Sequence, residues 1–217
     1  PLEEEQIQLF FSDIEPLAAS KVLVRLENET LSIGQRILSQ GLQLTIRGQE
    51  KIGIIGPNGV GKSTLLAKLH QLLSGKREIS LGFMPQDYQE TLQLDLSPVE
   101  FLSQTGHKEE IQKIQSHLAS LNFSYPEMHH QIHSLSGGQQ GKLLLLNLVL
   151  RKPNFLLLDE PTRNFSPTSQ PEIRKLFANY SGGLVTVSHD RRFLKEVCTS
   201  IYSLTEHGLE VVDLQDL

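Results

Sequence analysis

Lys51-Ile52-Gly53-Ile54-Ile55-Gly56-Pro57-Asn58-Gly59-Val60-Gly61-Lys62-Ser63-Thr64 is the stretch on which the fold turns. Its first five residues read as a buried strand, and Ser63–Leu73 reads as a helix with Leu65, Leu66, Leu69, Leu72 and Leu73 on one stripe. Between them, Gly56 to Thr64 match G-x-x-x-x-G-K-[ST], in the strand, loop and helix setting that the motif needs. Glycines let successive backbone N–H groups curl into one concavity at the positive end of the following helix, which suits phosphate oxygens. Gly56, Pro57, Asn58, Gly59, Val60, Gly61, Lys62, Ser63 and Thr64 are therefore expected to bind a nucleotide. Lys62 would reach the outer phosphates and the Ser63 hydroxyl would ligate Mg²⁺.

Phe155-Leu-Leu-Leu158 predicts a second buried strand, delivering Asp159 and Glu160 at its C-terminal end, where ligands sit in open parallel sheets. Asp159 is the expected metal carboxylate, acting through water. Glu160 is the expected general base for an attacking water, work commonly worth about 10² to 10⁴ in rate. His189 follows the apolar strand Leu184–Ser188 and is placed to sense a γ-phosphate by donating from its ring. Gln86, just after the strand ending at Met84, is expected to join the metal site to the block that follows. A fourth element, Leu135-Ser136-Gly137-Gly138-Gln139-Gln140, opens an apolar helix. With Ser136 as N-cap and two glycines, its first-turn N–H groups are expected to lie uncovered, as a second anion site.

Around these motifs the strand and helix signals alternate. Residues 7 to 55 carry short β-rich runs at Ile7–Phe11, Val22–Leu26 and Leu42–Ile46 with turns at Asn28-Glu29 and Ile33-Gly34, the pattern of a small antiparallel sheet. A strand is predicted over Ile79–Met84. Ser97-Pro98-Val99-Glu100 then combines an N-cap, a first-turn proline and a capping-box Glu, and Ile111, Ile114, Leu118 and Leu121 mark a second helix from near His107. After Ser136 come a helix to about Leu150, a strand Asn154–Leu158, helices from Ser169 and Asp190, and a terminal hairpin turning at His207-Gly208. Strands alternating with helices imply an α/β fold with a parallel sheet covered on both faces. One domain is expected over residues 1–217: an antiparallel β lobe at about 1–50, a core from 51–86 and 136–217, and a helical subdomain at 87–135.

Composition narrows the partners. Among 217 residues, 20 Lys and Arg stand against 25 Asp and Glu, a net charge of −5 with eight His neutral, which argues against affinity built on coating nucleic acid with charge. Apolar runs such as Leu143–Leu146 fall far short of the ~20 residues a bilayer demands. The single cysteine, Cys198, cannot form an internal disulfide, and Glu3-Glu4-Glu5 lacks the character of a signal peptide, so a reducing cytoplasm is expected. Pro1 in place of Met implies a segment of a longer chain. His129, His130 and His133 read as a solvated loop, Cys198 as a small core residue, and Arg191, Arg192 and Lys195 as solvated helix charge.

GPNGVGKST, LSGGQ, LLLDEPT and SHD occur here in the order and spacing of the ATP-binding cassette (ABC) family, which the sequence resembles over nearly its whole length. The resemblance implies a P-loop NTPase with a RecA-like parallel sheet flanked by helices, an antiparallel β subdomain and an α-helical insertion. It also implies an ATPase that uses ATP and Mg²⁺, with metal contacts at Ser63, Gln86 and Asp159 and catalysis by Glu160 and His189. Members present LSGGQ, here Ser136, Gly137, Gly138 and Gln139, across a dimer interface to the nucleotide of a partner cassette. Ser188-His-Asp-Arg-Arg-Phe-Leu194 looks like the ABC-F branch, whose single chains carry two cassettes and act on ribosomes. Asp159 to Gln170 resembles the second cassette of ribosome-protection members that confer antibiotic resistance. The implied partners are a second cassette, in the same full-length chain or as a homodimer of this segment, and the ribosome. Two alternatives stand beside this: the cytoplasmic ATPase subunit of a membrane transporter, and a binding module in which ATP acts as a clamp. Two departures are visible. Ser166 stands where the family has Asp, putting the coupling between sites in question, and Ile33 falls where many cassettes stack an aromatic on adenine.

Overall fold

Val22–Ile33 (β1) and Arg36–Arg47 (β2) form one long antiparallel hairpin in the computed structural model, which describes residues 9–217. The turn lies at Gly34, whose φ of 57° is readily reached without a Cβ. The expected break at Asn28-Glu29 is instead a bulge: Asn28 takes φ 48°, the register shifts between Leu26 and Glu29, and the strand continues. Of the predicted run Ile7–Phe11, residues 7 and 8 lie outside the described residues, and 9–11 are not in a strand.

Lys51–Ile55 (β3) leads into Lys62–Ser74 (α1), and Leu81–Met84 (β4) follows, two residues shorter than Ile79 would have made it. The block beyond is helical: Pro98–Leu102 (α2), Lys108–Ser120 (α3) and Tyr125–His129 (α4). Reciprocal capping boxes, Ser97 with Glu100 and Ser124 with Glu127, start α2 and α4 by satisfying N–H groups that a helix leaves orphaned. Ile114, Leu118 and Leu121 are buried under α3 while Ile111 is half-buried. Gly137–Leu150 (α5), Phe155–Asp159 (β5), Gln170–Ala178 (α6), Gly183–Val187 (β6), Arg191–Val197 (α7), Ser200–Thr205 (β7) and Gly208–Val212 (β8) complete the chain.

The main sheet has the order β4-β5-β6-β3-β7-β8, parallel except for β8, which pairs antiparallel to β7. Strand β5 shows why its sequence is a continuous apolar run. Leu156 and Leu158 face one core, with α5, α6, α7 and the helical block, while Phe155 and Leu157 face the other, with α1 and the hairpin. Leu65, Leu66, Leu69 and Leu73 of α1 are buried in that second core, and each such burial contributes roughly 2 kcal/mol. Leu72, expected on the same stripe, is 40% exposed. The hairpin is pinned to the sheet through buried Ser39, whose hydroxyl donates to the Thr205 carbonyl at 2.5 Å and accepts from Gly208 N–H at 3.0 Å.

Register fixes where the loops emerge. Val187 of β6 pairs with Ile54 on one side and with Asp159 on the other, so the loops after β3, β5 and β6 leave the sheet at one level. Residues 56–61, Glu160 and His189 are brought to one edge by strand pairing alone.

Candidate nucleotide-binding site

The loop after β3 bends through Gly56, Gly59 and Gly61, and α1 starts at Lys62 with Gly61 as its N-cap at φ 110°. A Cβ on Gly61 would lie 2.9 Å from Leu31 and 3.0 Å from Leu38 of the hairpin, so this position needs glycine for close approach as well as for its dihedral angle. The Lys62 ammonium turns back on its own loop: it donates to the Gly56 carbonyl and, at 3.4 Å, to that of Pro57, and it lies 3.1 Å from His189 Nε2. Desolvation lowers the Lys62 pKa, against the opposing pull of Glu160 and Asp159. Val60 is half-buried and packs beside the hairpin core.

Asp159 ends β5 in a buried position. Its Oδ2 accepts from the Ser63 hydroxyl at 2.9 Å, while Oδ1 is buried without a hydrogen-bond partner. Burial raises the Asp159 pKa above its ordinary value of 3.8, Ser63 works against that shift, and the neighbouring Glu160 and Glu90 charges add to it. Glu160 follows with φ 50°, an uncommon conformation for a side-chain-bearing residue, held by its N–H donating to the Val187 carbonyl at 2.8 Å. One Glu160 oxygen pairs with His189 Nδ1, and the other accepts from the His189 N–H at 3.2 Å.

These groups line one cleft of about 260 Å³. Asn58, Gly59, Gly61, Lys62, Ser63, Thr64, Gln86, Asp159, Glu160 and His189 all reach it, and Ile33 and Leu38 form its apolar mouth. Its lining combines two carboxylates, a lysine and a helix N-terminus with the apolar Ile33, Leu38 and Val187. Such a site can take a phosphate chain bearing a planar apolar group. The unpaired Oδ1 of Asp159, one Ser63 hydroxyl away from the loop, is an oxygen-rich corner that fits a small divalent cation. Gln86 borders this corner in an adjoining cavity with Asp87, Glu90 and Arg163.

Ser136, Gly138 and Gln139 do not reach that cleft. They line a separate one of about 480 Å³, with Asn122, Phe165 and Ser166. The first turn of α5 is also not uncovered as expected. Ser136 accepts from Gln139 N–H at 3.2 Å, Gln139 Oε1 accepts from Ser136 N–H at 3.0 Å, and Gln139 Nε2 donates to Glu127. What stays open is the backbone at Gly137 and Gly138, where an added Cβ would meet nothing within 4 Å.

Two residues of interest were not singled out from sequence. Arg163, in the loop after Glu160, borders the first cleft and two further cavities that share residues with it, and a cation three residues past a carboxylate pair was its only signal. Leu38 reaches the cleft because the hairpin folds over Gly61, a long-range contact that no local pattern announces. The histidines at 129 and 133 bond to Gln115 and Gln131, and buried Cys198 has its thiol pKa pushed up to about 12 by desolvation.

Fold and cleft together define an α/β P-loop nucleotide-binding domain. A model of the ABC transporter family matches residues 39–163, more than half of the chain, and the chain belongs to that family as an ATPase cassette. It is 31% identical over 210 residues to the probable ATP-binding protein YheS of Escherichia coli K12, covering 94% of this chain and 33% of that protein. It is 27% identical over 217 residues to ABC transporter F family member 2 of Arabidopsis thaliana, covering 96% and 32%. The chain thus spans about a third of the length of the curated relatives it matches. Among solved structures, a dimeric ATP-binding cassette in a post-hydrolysis state with ADP and Pi superposes with a TM-score of 0.72, over 88% of this chain and 98% of its own, at 21% identity. No helix among the described residues is long and apolar enough to cross a membrane.

Proposed function

We propose that this chain is the second cassette of an ABC-F type protein of the cytoplasm that acts on the ribosome, hydrolysing ATP to ADP and phosphate when closed against another cassette. The observation that carries the hydrolytic part is Asp159: buried, with Oδ2 held by Ser63 and Oδ1 left without a partner at the cleft. A carboxylate oxygen in that state costs stability unless a cation completes it.

In this reading the amides of residues 56–64 bind the phosphates and Lys62 exchanges its loop carbonyls for the outer phosphate oxygens. Ser63, Asp159 and Gln86 would hold Mg²⁺, which when bound neutralises charge on the phosphates. Glu160 accepts the proton of the attacking water, and its bond to His189 Nδ1 keeps that carboxylate facing the cleft. Ser136, Gly137, Gly138 and Gln139 lie outside this cleft, which supports their serving a nucleotide bound by a partner cassette. The F-family relative, the Ser188–Leu194 stretch and the share of the relatives' length covered here support the ABC-F assignment and a second cassette in the same full-length chain. The loop Asp159–Gln170 supports the ribosome-protection type associated with antibiotic resistance.

The test is Glu160→Gln in the full-length protein. Turnover is expected to fall by at least about 10²-fold while ATP-dependent co-sedimentation with ribosomes strengthens. Wild-type turnover in this variant would refute the general-base role. Absence from ribosomes together with co-purification of a membrane-spanning partner would refute the ribosomal one.

A further inference from the structure

Gly141 sits one turn inside α5, past the first-turn glycines 137 and 138 and just before Lys142 and the leucine run, where glycine weakens a helix and calls for a packing reason. The reason is visible around its Cα. A Cβ built there would lie 2.8 Å from Phe165 Cζ, 3.3 Å from Phe165 Cε1 and 3.0 Å from the Tyr88 hydroxyl. Phe165 is 6% exposed and Tyr88 8%, so both rings are seated against the helix backbone.

Each ring belongs to a segment of the site. Tyr88 lies two residues after Gln86 and opens a 3-10 turn capped by Asp87, and its hydroxyl pairs with the Asn164 side chain. Phe165 belongs to the loop that begins at Glu160. The Gln170 side-chain amide holds that loop by donating to the Phe165 carbonyl at 3.2 Å, and the Ser166 carbonyl accepts from the N–H groups of Ser169 and Gln170. The Phe165 ring in turn walls the second cleft beside Ser136 and Gly138. A methyl at 141 therefore requires the Phe165 ring to shift and the Tyr88 hydroxyl to give, in two segments whose backbones are held as described.

We infer that Gly141 is a positioning residue: the missing side chain is the slot in which Phe165 and Tyr88 meet, locking the Gln86 segment and the 162–169 loop to the helix that presents Ser136–Gln139. A change in one cleft is thereby transmitted to the other through packed side chains. This rests on the ATPase reading for its consequence, but the slot itself does not.

The experiment compares wild type, Gly141→Ala, and Gly141→Ala with Phe165→Leu, all in the full-length protein. Gly141→Ala is expected to lower ATP turnover by about tenfold or more with ATP affinity within about twofold, because a misplacement of about 1 Å away from the reacting atoms suffices for that. It should also speed amide hydrogen exchange at residues 86–91 and 162–170 together, leaving β3 and β5 protected. The shorter Phe165→Leu should return both turnover and exchange most of the way. Unchanged turnover, exchange that rises in only one segment, or no rescue by the double variant would overturn the proposal. A wild type without turnover would be the failure of the ATPase reading, and exchange with its rescue would then decide the slot alone.

Discussion

His189 stands between Lys62 and Glu160: its Nε2 lies 3.1 Å from the Lys62 ammonium while its Nδ1 pairs with the Glu160 carboxylate. An ammonium can only donate and a carboxylate can only accept, so the ring carries its proton on Nδ1 and offers a lone pair on Nε2. Lys62 is therefore tethered both by its loop carbonyls and by His189 until phosphate draws it away. Removing the ring leaves the Glu160 carboxylate held only by the backbone N–H of residue 189. His189→Ala is expected to reduce kcat by about 10² while leaving the Kd for ATP within about threefold, read by steady-state hydrolysis and equilibrium titration.

Asp159 gives a pH signature. Its folded pKa is raised, first by burial, so the folded state favours the protonated acid and ionisation works against folding. Below the ordinary carboxylate value of 3.8 the group is protonated in both states and carries no penalty. As pH rises through the higher folded value the penalty appears in full. Without Mg²⁺, Asp159→Asn should therefore melt at a higher temperature than wild type at neutral pH, with the gap closing as pH falls toward 4. Adding Mg²⁺ with ATP should stabilise wild type more than the variant, which keeps the phosphate loop but lacks the Asp159 charge. A gap of the opposite sign would show that Oδ1 is not under strain.

The nucleotide loop and the carboxylate pair were legible in sequence because each is local: nine consecutive residues fix one, and an apolar run with two acids fixes the other. That the sheet is parallel follows from the alternation of strand and helix, but its order, with β3 between β6 and β7, does not. What could not be read is whatever depends on distant contact. Asn28 looks like a turn residue, but cross-strand pairing with β2 absorbs it as a bulge. The glycines of LSGGQ suggest open N–H groups, yet Gln139 is at the N3 position of a capping box and closes part of that turn. Gly141 gave no signal beyond its oddity in a leucine-rich helix, since its partners Tyr88 and Phe165 come from far along the chain.

Stability should be governed by the aromatic cluster behind the sheet. Phe177 is fully buried, 6.1 Å from the Phe193 ring in an edge-on arrangement and 6.1 Å from Phe11, which itself packs 4.7 Å from Tyr180. Lys51 donates to the Phe177 and Ala178 carbonyls, so this helix end is fastened to β3. Phe177→Ala removes a large side chain that its rigid neighbours cannot replace, and should cost about 3–5 kcal/mol by denaturant unfolding. Phe11→Ala, at a half-buried position on the margin of the same cluster, should cost less, about 1–2 kcal/mol.

The mouth of the cleft offers a gain of function. Ile33 is 59% exposed and Leu38 lies beside it, so a bound base would find an apolar edge and no ring to stack on. Stacking of a base on an aromatic side chain is worth about 1–3 kcal/mol against alanine, and isoleucine already supplies part of that by contact. Ile33→Tyr is therefore expected to tighten ATP binding by about three- to tenfold. The same change should tighten ADP to the same degree, since the base is common to both and the phosphate loop is untouched. It should leave binding of inorganic triphosphate unaltered. Isothermal titration with the three ligands checks this. Equal tightening of triphosphate would mean that residue 33 acts on the loop and not on the base, and no change for ATP would place the base away from the hairpin.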